Sequence, residues 1–215
     1  MILFILLSII FIVSYKFIKN NYNLRIKSNY DVNSLNHLNL KNNVPTDDIL
    51  KCINRNHSSN IRSMLNHKHK HTSSINLINQ KQSIIFPFES EVDCQNHLIN
   101  YYPVFEFLNN FTKQYGGVLY SVSIVFLPKN HVVYPHIDGV RCNKQYTKYY
   151  LNKDRYHLVL DGSYKYTVNG QTKLYNKGDL WWFNNKKIHS SFAISDRIAL
   201  IFDVLHNNTW ILKSK

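Results

Sequence analysis

Hydrophobic and polar positions fall into three textures along the 215-residue chain. The first fifteen residues, MILFILLSIIFIVSY, carry no charge, and the apolar run continues past Lys16 through Phe17 and Ile18. A helix needs about 17–25 residues to cross a bilayer, so this run predicts a short transmembrane anchor over residues 1–18. No basic stretch precedes it and no small-x-small site follows it, which argues against a cleaved signal peptide. Lys16, Lys19, Arg25 and Lys27 on its C-terminal flank favour a cytosolic position for the rest of the chain. Residues 19–83 are rich in Asn, Lys, His and Ser and predict a polar, basic, low-complexity linker. Within it, Pro45-Thr46-Asp47-Asp48 suits the start of a short helix through Ile49, Leu50 and Ile53. The stretch His67-Lys68-His69-Lys70-His71 is expected to be solvated, because its lysines would repel a metal ion.

The texture changes at residue 84, where IIFPF predicts a strand entering a domain over 84–215. Cys94, Leu98, Tyr101, Tyr102, Phe105, Leu108 and Phe111 then recur at helical spacing, with Pro103 as a point of kinking or interruption. After Gly116-Gly117 the period becomes that of strands: VLYSVSIVFL, HVVYPHI, YHLVLDG, YKYTVNG, KLYNKGDLWWF, HSSFA and RIALIFDVL. Short strands separated by turns such as Asn169-Gly170 and Lys177-Gly178-Asp179 predict a mainly β fold, an antiparallel sandwich or jelly roll with a flanking helix.

Charge changes this picture little. The formal net charge of +13 invites a nucleic-acid reading, yet +8 of it lies in residues 1–84 and +5 in residues 85–215. The excess thus sits mostly outside the β domain, where it is drawn to anionic lipid headgroups, and no RNA- or DNA-binding motif accompanies it. Cys52, Cys94 and Cys142 are odd in number and scattered, which excludes a disulfide scaffold or a zinc ribbon.

Candidate chemistry begins with His136-Ile137-Asp138. On an extended segment, residues two apart share a face, so both side chains can reach one ion. His189 opens another predicted strand after a Gly-Asp turn. Two histidines and one carboxylate are the ligand set of non-haem Fe(II) oxygenases, which leave three positions open on the metal.

Four blocks strengthen that reading: Tyr134-Pro135-His136-Ile137-Asp138; Arg155-Tyr156-His157-Leu158; Gly178 through Asn185 followed by His189; and Arg197 through Val204. In order and spacing they resemble the aspartyl/asparaginyl β-hydroxylases, a family of 2-oxoglutarate/Fe(II)-dependent oxygenases, over roughly residues 118–206. The resemblance implies a double-stranded β-helix, a cupin-like jelly roll. It implies Fe(II) at His136, Asp138 and His189, with 2-oxoglutarate and dioxygen as cosubstrates. Arg197 resembles the residue that grips the distal carboxylate of 2-oxoglutarate, a task suited to a planar guanidinium. Arg155 and His157 resemble the family's R-x-H pair at the cosubstrate's other end. Some animal members lack the carboxylate ligand, which Asp138 supplies here.

The implied protein is a single-pass membrane dioxygenase hydroxylating a peptidyl Asp, Asn or Pro side chain. Two other readings stay open from sequence alone: hydroxylation of a lipid acyl chain, or a catalytically silent jelly roll that binds peptide or glycan.

Overall fold

A computed structural model describes residues 34–60, 67–79, 100–138 and 153–205. The apolar run at 1–18, IIFPF, Cys94 and Leu98 lie outside them. Among the described residues no helix is long and apolar enough to cross a membrane.

Two antiparallel sheets face each other. The larger contains six strands and the smaller four. Strands β1 (His37–Lys41), β2 (Ser73–Asn79), β3 (Val118–Leu127), β5 (Lys153–Asp161), β8 (Leu180–Phe183) and β10 (Arg197–Leu205) build the larger, in the order β1-β8-β5-β10-β3-β2. The smaller has the order β4-β9-β6-β7, from β4 (Val132–His136), β6 (Ser163–Val168), β7 (Gln171–Asn176) and β9 (His189–Ala193). From β3 onward the chain passes back and forth between the two sheets, the antiparallel jelly roll expected from the strand pattern.

Turn chemistry fixes the register. Asn169 and Gly170 both have positive φ (48° and 80°), the combination a two-residue hairpin needs to match strand twist, and they join β6 to β7. Gly178, at φ 87°, lies so close to the chain at Asn43 and Val44 that a Cβ would sit 3.1 Å from Asn43 Cα. Its carbonyl accepts from Val44 N at 2.9 Å.

The strands of the larger sheet are two-faced. Tyr156, Leu158 and Leu160 of β5 and Ile198, Leu200, Phe202 and Val204 of β10 join the cluster beneath the helices. Helix α2 (Tyr102–Tyr115) covers that face with Val104, Leu108 and Phe111, an i, i+4, i+7 stripe. Pro103 sits in its first turn, where no intrahelical N–H bond is lost, so it starts the helix rather than kinking it. The opposite parity of β5 and β10, carrying Arg155, His157, Val159, Arg197 and Asp203, looks between the sheets. There Tyr164, Tyr166, Tyr175, Trp181 and Phe183 form a second core. Trp181 and Trp182 are both buried, on opposite faces of β8.

One expectation is corrected. Residues 34–60 and 67–79 are not linker: they supply β1 and β2, the two edges of the larger sheet, and helix α1 (Asp47–Lys51). Val44, Ile49, Ile75 and Leu77 are in the core, and the Thr46 hydroxyl donates to Leu160 O at 3.0 Å rather than capping α1. The polar composition hid this because β1 buries one face only and β2 alternates Ser and Asn with Ile and Leu. The domain therefore begins well before residue 84. A fragment of residues 84–215 should lack a cooperative thermal transition, whereas one of residues 34–215 should melt cooperatively; circular dichroism melts of the two decide.

Candidate metal centre

The smaller sheet brings the two histidines together. His136 ends β4 and His189 begins β9, and the two are directly paired across the strands. Their ring centroids are 4.3 Å apart. His136 Nδ1 is 2.7 Å from Tyr134 O, and His189 Nδ1 is 2.9 Å from Lys187 O. A carbonyl oxygen only accepts, so each Nδ1 carries the proton, and each ring turns its Nε2 lone pair toward Asp138. Asp138, in the turn after β4, presents Oδ1 at 3.6 Å from His136 Nε2 and 3.5 Å from His189 Nε2.

Those separations are too long for good hydrogen bonds, and two lone pairs facing a carboxylate oxygen repel unless a cation lies between them. An ion bound at ~2.1 Å to each of three ligands at right angles would bring them to about 3 Å of one another. His136, Asp138 and His189 are the cluster of metal-ligating atoms found among the described residues. The donor set, two imidazoles and one carboxylate with the other ring nitrogens anchored, fits a first-row divalent metal.

Asp138 is held from behind. Arg155 donates from one terminal nitrogen to Asp138 Oδ2 at 2.6 Å, and from Nε and the other terminal nitrogen to Asp203 Oδ1 and Oδ2 at 2.7 and 2.8 Å. The Ser121 hydroxyl donates to Asp203 Oδ2 at 2.8 Å. Burial alone would push the Asp138 carboxyl up. The Arg155 guanidinium outweighs this and holds it well below the usual carboxylate range. Asp138 is therefore an anion with one oxygen committed to Arg155 and the other turned to the histidines.

Across the cavity lie Arg197 and His157. Arg197 is 3% exposed, yet among the described residues its charge meets no carboxylate: one terminal nitrogen is 3.4 Å from Ser191 Oγ and the guanidinium carbon is 4.7 Å from the Tyr164 ring centroid. Its Nε has no hydrogen-bond partner, and burial lowers its pKa. A buried guanidinium without a counter-ion asks for an anion. His157 is packed by Trp181, Tyr166 and Phe183, with Nδ1 3.3 Å from the Tyr164 hydroxyl. Burial first, then Arg197 and Arg155, push its pKa well below the usual value, so it is a neutral ring.

The structure thus gathers five of the six sequence-predicted residues, His136, Arg155, His157, His189 and Arg197, around one cavity, and Asp138 lies beside it against His136, His189 and Arg155, which is engaged with the two aspartates. Asp203 and His69 were not among them. Asp203 shares its parity on β10 with Arg197, a signal present in the strand pattern. His69 belongs to the stretch expected to be solvated. It is buried instead, its ring 4.8 Å from that of His136, while Lys70 is exposed.

A sequence model described as "Aspartyl/Asparaginyl beta-hydroxylase" matches residues 53–207. The chain belongs to that family. No curated protein matches it. Among solved structures, it is similar to a predicted oxalate decarboxylase from Thermotoga maritima (16% identity, 47% of this chain and 73% of that one, TM-score 0.33). A cupin superfamily protein from Desulfitobacterium hafniense shares 15% identity over 40% of this chain and 67% of that one, with a TM-score of 0.32. A conserved protein of unknown function from Streptococcus pyogenes shares 15% identity over 40% of this chain and 64% of that one, also with a TM-score of 0.32. At these scores the similarities carry no argument about activity.

If Asp203 sets Asp138 through Arg155, Asp203→Asn should weaken Mn(II) or Co(II) binding by about tenfold, since partners behind ligands typically contribute 10–100-fold. It should also destabilise the fold by on the order of 3 kcal/mol, the cost of breaking a buried pair. Unchanged metal affinity in Asp203→Asn would mean that Asp138 is positioned otherwise.

Proposed function

We propose that this protein is a membrane-anchored Fe(II)/2-oxoglutarate-dependent dioxygenase that hydroxylates an Asp, Asn or Pro side chain of a peptide substrate. One observation carries the reading. A His-Asp-His cluster turned toward a common point faces, across one cavity, a buried arginine that has no anionic partner among the described residues.

Fe(II) with 2-oxoglutarate would supply the activation of dioxygen that no protein side chain provides. The chain's own part is to hold and shield. His136 and His189 would offer Nε2, and Asp138 would offer Oδ1, with Arg155 keeping Oδ2 turned away. Arg197 would receive the distal carboxylate of 2-oxoglutarate, exchanging its stacking on Tyr164 for a two-point bond. His157 stays uncharged, and Phe183 and Tyr166 pack against the His189 ring. Residues 1–18 would tie the domain to a membrane, with the cytosolic side favoured by the basic residues that follow.

Anaerobic titration of the protein with Fe(II) and then 2-oxoglutarate tests the site. One equivalent of each should bind, with 2-oxoglutarate binding dependent on the metal, and succinate should be released in air with a hydroxylatable peptide. Arg197→Lys loses the planar fork, so it should raise the 2-oxoglutarate requirement by about tenfold or more while leaving Fe(II) affinity unchanged. Equal 2-oxoglutarate dependence in variant and parent would remove Arg197 from this role. The anchor is tested separately by flotation with vesicles: the full chain should float and a chain lacking residues 1–18 should remain in the dense fraction.

A further inference from the structure

A second concavity lies beside the metal centre. It is a cleft of about 340 Å³ lined by Arg55, Ser58, Lys70, His71, Thr72 and Ser73, among others, and none of its lining residues is acidic. Arg55 and Lys70 are exposed and make no ion pair with any described carboxylate. Aromatic rings hold them instead. The Arg55 guanidinium lies 5.5 Å from the Phe126 ring centroid, and the Lys70 ammonium lies 5.6 Å from that of Tyr134. Cation–π contacts of this kind restrain a side chain without neutralising its charge, so both cations stay available to an outside anion. His71 adds a neutral N–H donor, because partial desolvation, then His131 and Lys70, lower its pKa.

The cleft and the cavity share a wall. Thr72 lines both, and its hydroxyl donates to His69 O at 2.9 Å. Tyr134, beneath Lys70, is the residue whose carbonyl anchors His136. A peptide lying in the cleft therefore needs to pass only the wall that Thr72 shares to reach the cavity of the candidate metal ligands.

We infer that this cleft binds acidic side chains of the peptide substrate, placing a neighbouring residue at the metal centre. The substrate class is thus an acidic peptide segment, an assignment that rests on the hydroxylase reading. Two fixed cations beside hydroxyl donors suit carboxylates presented at successive positions of an extended strand, and the chain's net charge of +13 adds long-range attraction.

The test is fluorescence anisotropy of the full chain, metal-free and in neutral detergent. The probes are a short labelled peptide with Asp and Glu flanking one Asn, and its counterpart with those acids replaced by Asn and Gln. The acidic peptide should bind at least about tenfold more tightly, and Arg55→Ala/Lys70→Ala should lose about tenfold in affinity for it. Arg55→Glu/Lys70→Glu should reverse the preference toward a Lys-bearing peptide. Mn(II) affinity should be the same in all variants, which separates failure of the cleft from failure of the metal centre. Equal affinity of parent and variants for the acidic peptide would overturn the proposal. So would inorganic phosphate or glycerophosphoserine binding through Arg55 and Lys70 more tightly than the peptide, since the cleft would then be a phosphate site.

Discussion

Arg155 lies between Asp203 and Asp138, and the direction of the carboxylate at the candidate metal centre follows from that chain of charge. Asp203 takes two of the guanidinium's five N–H vectors and a hydroxyl from Ser121, and one of the remaining three reaches Asp138 Oδ2. A planar fork cannot turn without losing all three bonds, so Asp138 Oδ1 has one direction open, toward the two Nε2 atoms. A lysine could neutralise the same charges without setting that direction. The groups are nearly dry: the side chains of Arg155, Asp138 and Asp203 are 14%, 9% and 4% exposed. An ion-pair chain this buried is orienting rather than simply stabilising, because the desolvation cost offsets most of the Coulomb attraction.

The rest of the fold makes this chain possible by covering β5 and β10 on both sides. One parity of each strand supplies aromatic and aliphatic bulk beneath α2, where Tyr156 stacks on Phe202 with centroids 5.4 Å apart and Phe111 meets Phe202 edge-on. That packing holds the strands rigid while the other parity carries Arg155, His157, Arg197 and Asp203 inward. The arrangement needs the larger sheet to extend beyond the jelly-roll strands, since β1 and β2 close its edges and add Ile75 and Leu77 to the same core. Residues that look like linker by composition thus support the geometry of the site.

The turn at 69–72 joins two environments. His69 packs edge-on to His136 on the inner side, while Lys70 and His71 look into the cationic cleft. Its alternation of His and Lys places buried and exposed groups on opposite sides of a thin wall, which is why a composition-based reading found only a solvated stretch there.

Local pattern determined a good part of this protein. Period-two alternation in RIALIFDVL and HSSFA, the Asn169-Gly170 hairpin and the apolar stripe of α2 are short-range consequences of backbone geometry, and they appear as strands β10 and β9, a turn and a helix. The two-residue spacing of His136 and Asp138 was likewise legible, although Asp138 lies in the turn after β4 rather than on the strand, and Arg197 entered through the family resemblance. Tertiary structure decided what no local pattern contains. The pairing of β10 with β5 sets Asp203 opposite Arg155, the pairing of β4 with β9 sets His136 opposite His189, and the folding of residues 34–60 and 67–79 onto both edges of the larger sheet sets His69 against the site. These are contacts between residues tens of positions apart, fixed by the register of whole sheets. A polar residue such as Asp203 or His69 carries no local sign of whether that register will place it in water or beside a buried cation.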